Sequence, residues 1–198
     1  DKWSANYVEA LLSPLKDNPN AIISVPHQIL IDRHGKEKSE RPYKPPRDGA
    51  SLTDIIKNNF SIVHSAWYYA LYDRSEFMSL QQSHVHFDQY WGRDFATFIP
   101  FLFSDSIVGN DVAIFYQRET GYSGSKYRPK NAIDQYHHYR DFWKDLLYYM
   151  NKSELSLTQK IVMFPIWLRY VRNVVKFRRM LKTFVKEAFR FRIEKSQF

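Results

Sequence analysis

The sequence predicts an α/β fold that ends in a helical extension. Apolar residues recur at helical spacing in several segments, whereas the runs at 21–31 and 107–115 have the composition and length of strands. Helices and strands alternate along the chain, which is typical of the α/β class. The chain has 198 residues, of which 44% are hydrophobic and 17% aromatic, so it can bury a sizeable core. We expect one domain with an appendage.

The first quarter of the chain contains a predicted helix and a predicted strand. Apolar residues at helical spacing predict a helix over 4–16, which an Asp-Asn-Pro-Asn turn closes. The run 21–31 predicts a strand, in which Pro26 indicates an edge position or a bulge. A hairpin turn at 32–36 leads into 36–49, whose polar, proline-containing composition predicts a surface loop.

The remaining elements follow from the same signals. A short helix is predicted over 52–58 with Ser51 as its cap, and the apolar run 60–71 predicts a buried strand. The later segments are a short helix at 74–80, an aromatic segment at 84–98 that becomes helical, a strand at 107–115 interrupted by Gly109-Asn110, a mobile loop at 116–125, and helices at 131–150 and 155–198, the last of them broken at Pro165.

Positive charge is concentrated near the carboxyl terminus. The formal net charge is +8, and the segment 160–195 holds 11 basic and 2 acidic residues, a net charge of +9. The rest of the chain has 18 basic and 19 acidic residues and is close to neutral. Because a nucleic-acid-binding domain is usually basic over a whole face, we expect no nucleic-acid partner.

The carboxyl-terminal segment is also amphipathic. Its apolar residues step by three and four along one side, and basic residues recur on the other side. The apolar stripe comprises Phe164, Trp167, Leu168, Val171, Val174, Val175, Leu181, Val185 and Phe189. Such a helix either binds an anionic membrane surface or packs on the domain, and the sequence leaves both alternatives open. The first would make residues 160–195 a peripheral contact with the inner face of the plasma membrane.

Several classes of protein are excluded by motifs that the sequence lacks. Without cysteine there is no disulfide, thiol nucleophile or cysteine-ligated metal, which fits a reducing compartment such as the cytoplasm. No apolar run approaches the roughly 18 residues of a membrane-spanning helix. The P-loop, the dinucleotide-binding glycine motif and the Gly-x-Ser-x-Gly elbow of hydrolases are also absent.

Two charged residues are candidates for a functional site. Asp94 precedes an apolar helical run, so it is either a first-turn carboxylate stabilised by the helix dipole or a general base that faces a cleft. Arg118 follows a strand and precedes a glycine- and serine-rich loop, where it is either a surface arginine or a ligand for phosphate oxygens. Spacing alone does not choose between these roles.

The order of these segments resembles the second half of a GT-A glycosyltransferase of family 2. The opening DKWSANYVEALLSPLKDNPNAIISVPHQILIDRHGK is similar to the stretch that begins at the last acid of the family's D-x-D motif. NNFSIVHSAWYYALYDRSEF resembles the acceptor-side strand and its arginine-bearing turn. GRDFATFIPFLFSDSIVGNDVAIFYQRETGYSG resembles the acid–Asp helix, the next strand and the tyrosine–x–arginine loop. The resemblance makes residues 1–128 the acceptor-side part of a GT-A domain and 129–198 a helical extension.

The resemblance implies a metal ligand and a catalytic base. Asp1 would bind a divalent cation, Mg²⁺ or Mn²⁺, on the donor diphosphate. Asp94 would deprotonate the acceptor hydroxyl as it attacks the anomeric carbon, which gives a single displacement with inversion. Many members of the family have an acid just before this base, whereas this chain has Arg93, so Asp88 is the alternative base.

The resemblance also implies residues that contact the substrates. Arg118 and Ser123 would lie in a loop that closes on the diphosphate, stabilises the leaving group and excludes water. Trp67 and Trp91 would stack on sugar rings near the acceptor, or else belong to the core as large aromatic residues.

The implied reaction moves a sugar from a nucleotide-sugar donor to a surface polysaccharide or a lipid-linked acceptor. The family's first half, with its nucleotide-binding strands, has no counterpart in the sequence, so the chain is expected to be a fragment that is inactive alone. The competing hypothesis is a non-catalytic module that binds a membrane or a partner through the basic amphipathic helix.

Overall fold

The computed structural model describes residues 1–83, 93–118, 129 and 131–195, excluding the side chains of 80–83, 93, 94 and 188–195. A mixed sheet flanked by helices confirms the predicted α/β class. The strands are β1 (Lys2–Trp3), β2 (Ile23–Ile31), β3 (Glu37–Arg41), β4 (Leu71–Tyr72) and β5 (Ile107–Arg118). The helices are α1 (Tyr7–Asp17), α2 (Leu52–Ile62), α3 (Arg74–Ser83), α4 (Arg93–Leu102), α5 (Ala132–Lys152), α6 (Leu157–Val174) and α7 (Phe177–Lys195), with a short 3₁₀ helix at Ser65–Tyr69.

Strand β2 is the centre of the sheet. It pairs in parallel with β5 on one side, and β3 and β4 pair with it in antiparallel orientation. Strand β1 extends the sheet beyond β5. Pro26 therefore lies in an interior strand, where the register shifts between Val25 and His27. Of the two predicted alternatives, the bulge is confirmed and the edge position is wrong.

The predicted interruption of β5 is a bulge within one continuous strand. Gly109 pairs with Val25 and Ile114 pairs with His27, so residues 110–113 of β5 lie opposite Pro26 alone. A Cβ atom at Gly109 would lie 2.6 Å from the carbonyl oxygen of Val25 and 2.9 Å from the ring of Tyr43. Glycine is required here because β2 and an aromatic ring approach the backbone so closely.

Two sequence predictions about local structure are wrong. Residues 37–41 form the edge strand β3 and not a loop. The prediction failed because both faces of this edge strand are exposed, so its residues are polar and charged without the alternation that marks a strand. Residues 60–71 form no long strand; α2 continues to Ile62 and the 3₁₀ helix follows. Periodicity does not distinguish a buried strand from a buried helix in a short, wholly apolar run.

The cap by Ser51 is confirmed, because its side chain accepts a hydrogen bond from the Asp54 backbone N–H.

The main hydrophobic core contains residues from both sides of the predicted boundary at 128/129. Ile23 and Phe98 belong to the same cluster of buried side chains as Phe142 and Trp167. The Tyr170 hydroxyl also donates a hydrogen bond of 3.2 Å to the carbonyl oxygen of Phe95. A smaller cluster, which includes Tyr7, Leu11 and Phe115, joins α1 to β5. Helices α5 and α6 thus complete the core of the sheet.

The carboxyl-terminal helices do not break where the sequence predicts. Helix α6 runs through Pro165, and the break lies at Lys176, whose φ of 51° is in the left-handed region. Pro165 and Ile161 are exposed, so water can reach the carbonyl group whose helical hydrogen bond the proline removes. None of the helices in the described part of the chain has both the length and the apolar character required to cross a membrane.

Candidate functional site

The candidate site lies at the carboxyl ends of β2 and β5. The parallel register pairs Ile31 with Arg118, so both strands end at the same edge of the sheet. Strand β1 runs antiparallel to β5 and brings the first residue of the chain to this edge. The backbone N–H of Arg118 donates a hydrogen bond of 2.7 Å to Oδ1 of Asp1. The Asp1 carboxylate thus contacts the backbone of Arg118, and both residues are exposed where open α/β sheets usually bind ligands.

A set of neutral polar side chains lies beside this edge. The side-chain amide of Gln28 donates a hydrogen bond to Oε1 of Gln117, the residue before Arg118. The hydroxyl of Ser65 donates to the same oxygen at 3.4 Å. Gln28 is only 1% exposed, and its own Oε1 has no hydrogen-bond partner among the described residues. Buried amide oxygens are rarely left without a partner, so this enclosed acceptor is an unusual polar feature beside the edge of the sheet.

His64 precedes Ser65 and is also buried. Burial, with smaller contributions from the nearby charges of Arg41 and His27, lowers the pKa of His64 to about 3. The imidazole is therefore neutral at pH 7 and can donate from one nitrogen and accept at the other. Its Nδ1 has no hydrogen-bond partner in the part of the chain that the structure describes.

Sequence reasoning missed Gln28, His64, Ser65 and Gln117. Their signal is present in the sequence, because each is a polar residue within or next to an apolar run. Such residues are either satisfied within the core or available to a ligand. Only the pairing of β2 with β5 shows that Gln28 and Gln117 lie together.

A pocket of about 440 Å³ lies at the other end of β5. Tyr43, Asp105 and Gly109 line it, together with the loop 45–50. Burial raises the pKa of Tyr43 to about 12, with a smaller contribution from the negative charge of Asp105. The Tyr43 hydroxyl donates to the carbonyl oxygen of Ile107, so it holds the loop against the sheet. The pocket contains none of the predicted site residues.

Comparison with known proteins gives no relatives. No family model, curated protein or solved structure matches the chain.

The predicted site residues fall into three groups, of which the buried Trp67 is the last. The structure brings Asp1 and Arg118 together, as described above. The backbone of Asp94 lies in the first turn of α4, while its side chain is outside the described residues. The other predicted residues that lie outside them are Ser123, Trp91 and the alternative base Asp88.

Trp67 lies in the core and not at the edge of the sheet. It is 1% exposed, and its ring packs edge-on against Phe98 with a centroid distance of 6.0 Å. A residue that stacks on a sugar must present one face of its ring to the ligand. The structure thus favours the core alternative over sugar stacking, because α4 covers this side chain.

The carboxylate that the resemblance offers to a divalent cation at this edge is that of Asp1. No group of three or more histidine, aspartate or glutamate side chains suited to a metal occurs there. Asp1 uses Oδ1 for the Arg118 backbone and is exposed, so its second oxygen is available. Mg²⁺ is often held by one or two carboxylates together with substrate phosphates and water. One exposed carboxylate is compatible with a cation that arrives with a diphosphate, while the described residues form no complete metal site by themselves.

Proposed function

We propose that the chain is the acceptor-side part of a metal-dependent inverting glycosyltransferase. The observation that supports this most directly is the contact between Asp1 and Arg118, which are 117 positions apart in sequence. The resemblance assigns both residues to the same donor diphosphate, although they belong to different segments. The pairing of β1 with β5 brings both residues to the carboxyl edge of the parallel strands, where open α/β sheets usually bind ligands.

The electrostatics of this edge suit a diphosphate leaving group. The Arg118 guanidinium pairs with phosphate oxygens, and the Asp1 carboxylate provides an oxygen ligand for Mg²⁺ or Mn²⁺. When bound, the cation supplies positive charge that offsets the negative charge of the departing diphosphate. Ser123 would add a hydroxyl donor from the loop after β5.

The neutral polar set suits an uncharged, polyhydroxylated ligand beside the diphosphate. Ser65 and Gln117 are half-buried and offer a hydroxyl and an amide, while the enclosed Gln28 and the neutral His64 make their surroundings polar but uncharged. Sugar hydroxyl groups can both donate and accept hydrogen bonds. We therefore place the sugar-binding part of the site near Gln28, His64, Ser65 and Gln117.

The reaction requires one base and one leaving group. The acceptor oxygen forms a bond to the anomeric carbon while the bond from that carbon to the diphosphate oxygen breaks. The proton of the acceptor hydroxyl passes to the Asp94 carboxylate, and the electron pair of the broken bond remains on the diphosphate. The acceptor is a hydroxyl group of a glycan or a lipid-linked glycan.

The test is Asp94→Asn in the full-length protein, with Asp88→Asn as the matched control. A general base contributes about 10²- to 10⁴-fold, so Asp94→Asn should lower the transfer rate by this factor. The Asp88→Asn variant should retain the rate, and both should keep the wild-type unfolding midpoint. An unchanged rate in Asp94→Asn would contradict the assignment, and a loss in Asp88→Asn alone would move it to Asp88.

A second candidate is a non-catalytic module that acts through its basic carboxyl-terminal helix. The exposed apolar side of α7 favours it, since Leu181, Phe184 and Val185 remain at the surface. Sugar transfer by the full-length protein separates the two candidates, because a binding module has no turnover to lose.

A further inference from the structure

Helix α7 is fixed to the protein along one side. The rings of Phe177 and Tyr139 lie 5.4 Å apart, and the side-chain amide of Gln135 donates to the Thr183 hydroxyl at 3.2 Å. The backbone N–H of Ala132, at the start of α5, donates to both carboxylate oxygens of Glu187 at 3.1 and 3.2 Å. The contacting residues have increasing numbers along α7 and decreasing numbers along α5, so the two helices are antiparallel.

Next to these contacts, α7 carries apolar side chains that are exposed. Leu181 is 48% exposed, Phe184 62% and Val185 49%. Residues three and four apart are neighbours on a helix surface, so these three side chains form one apolar patch. The contacts with α5 already occupy the inner side of the helix. The patch is therefore exposed although α7 is packed on the protein.

A basic row adjoins the apolar patch. Arg178, Lys182 and Lys186 recur every four residues and are exposed, with Arg179 beside them. Each residue turns the helix by about 100°. Going round α7, the contacts with α5 therefore come first, the apolar patch next and the basic row after it. Glu187 is the one acidic residue in the segment from Phe177 to Glu187, and its carboxylate accepts a hydrogen bond from the backbone N–H of Ala132 in α5. Within this stretch of α7, the carboxylate of Glu187 is thus directed to α5 and not to the basic row.

We propose that this face of α7 docks on an anionic lipid bilayer, with the apolar patch at the boundary of the acyl chains and the basic row among the lipid phosphates. The charge of the chain favours this occupant, because segment 160–195 carries +9 while the rest is close to neutral. A helix with an apolar side next to a lysine- and arginine-rich side is the usual form of an interfacial helix. The inference does not depend on the proposed sugar transfer.

Two other occupants fit the same surface less well. A second copy of the chain would bring two basic rows together, and their like charges oppose association. A nucleic acid would pair with the basic row but leave Phe184 and its apolar neighbours in water. A lipid surface satisfies both parts of the face at once.

The test is co-sedimentation of the chain with phosphatidylcholine vesicles that contain or lack phosphatidylglycerol. We expect binding to the anionic vesicles alone and weaker binding at higher salt. The triple variant Arg178→Gln, Lys182→Gln, Lys186→Gln should lower the affinity about 100-fold, since each basic residue near such a surface contributes about five-fold. The control Lys16→Gln, Lys36→Gln, Lys57→Gln removes three exposed charges elsewhere and should bind within about two-fold of wild type.

A second variant tests the apolar patch. Leu181→Ser, Phe184→Ser, Val185→Ser should lower the affinity at least about ten-fold, because three apolar side chains no longer leave water. Val8→Ser, at an exposed valine of α1, is the control and should change nothing. Circular dichroism and the urea midpoint should match wild type for every variant.

Four results would overturn the proposal. They are equal binding to both kinds of vesicle, unchanged affinity in either α7 variant, a lipid-free dimer that the serine variant dissociates, and a nucleic-acid complex in place of vesicle binding.

Discussion

Helices α6 and α7 belong to one amphipathic pattern in the sequence but differ in how their apolar sides are used. In α6, Met163, Trp167 and Val171 lie in the main core, whereas Leu181 and Phe184 of α7 are exposed. Helical spacing determines which residues share a side of a helix. The neighbouring elements decide whether that side is buried, and the spacing alone does not contain this information.

The difference has a structural cause at the junction. Helix α6 packs against α2 and α5, while α7 contacts α5 and the end of α6. The left-handed backbone at Lys176 ends α6 and turns the chain, so the apolar stripe does not continue in register. The two alternatives that the sequence left open therefore apply to different helices: packing holds for α6, and the membrane contact stays a proposal for α7.

The largest predicted difference between the helices concerns two aromatic residues. Trp167 is fully buried between Phe60 and Phe103, so Trp167→Ala should lower the free energy of unfolding by about 3–5 kcal/mol. Phe184→Ala should change it by less than about 0.5 kcal/mol, because the side chain is exposed. Urea unfolding measures both. Equal losses would mean that α7 is buried like α6.

Acid should weaken the core through two buried histidines. Burial lowers the pKa of His64 to about 3 and that of His138 to about 4, from 6.5 in the unfolded chain. Below about pH 6.5 the unfolded state binds a proton at each histidine before the folded state does. Stability is therefore complete above pH 6.5 and falls by about 1.4 kcal/mol per pH unit for each histidine as pH decreases towards about 4.

The variant His64→Gln isolates one of these contributions. Urea unfolding between about pH 4 and pH 7 gives the free energy of unfolding at each pH. Its slope against pH should be smaller than that of wild type by the equivalent of one proton. An unchanged slope would show that His64 titrates alike in the folded and unfolded states.

The smallest predicted effect concerns the junction itself. Lys176→Gly should raise the free energy of unfolding by up to about 1 kcal/mol, because glycine adopts the left-handed conformation without the steric cost of a side chain. The matched change Lys182→Gly, inside α7, should lower it by about 1 kcal/mol. If both variants lost stability alike, the break between the helices would not depend on the conformation of Lys176.

Local signals in the sequence predicted much of the fold. Spacing predicted α1 and α5, and the turn residues at 32–36 predicted the hairpin that joins β2 to β3. The errors have a common physical origin. The run 60–71 and the exposed strand β3 lack the alternation that identifies a half-buried strand, so tertiary contacts decide their structure.

The candidate site was predicted only in part for a similar reason. The sequence indicates Asp1 and Arg118 separately, but their contact depends on the pairing of β1 with β5, which joins residues 117 positions apart. Trp67 is of a residue type that can stack on sugars, and only its packing against Phe98 shows that α4 covers its ring. Long-range pairing and burial are not encoded in any single segment.

The most direct measurement for the central claim is a calorimetric titration of the full-length protein with nucleoside diphosphates, with and without Mn²⁺. We expect binding that requires the metal and that weakens at least about ten-fold in Asp1→Asn, which removes a carboxylate ligand of the cation. Asp17→Asn, at an exposed carboxylate at the end of α1, should bind like wild type. Binding that is independent of Mn²⁺, or unchanged in Asp1→Asn, would contradict a metal–diphosphate site at this edge of the sheet.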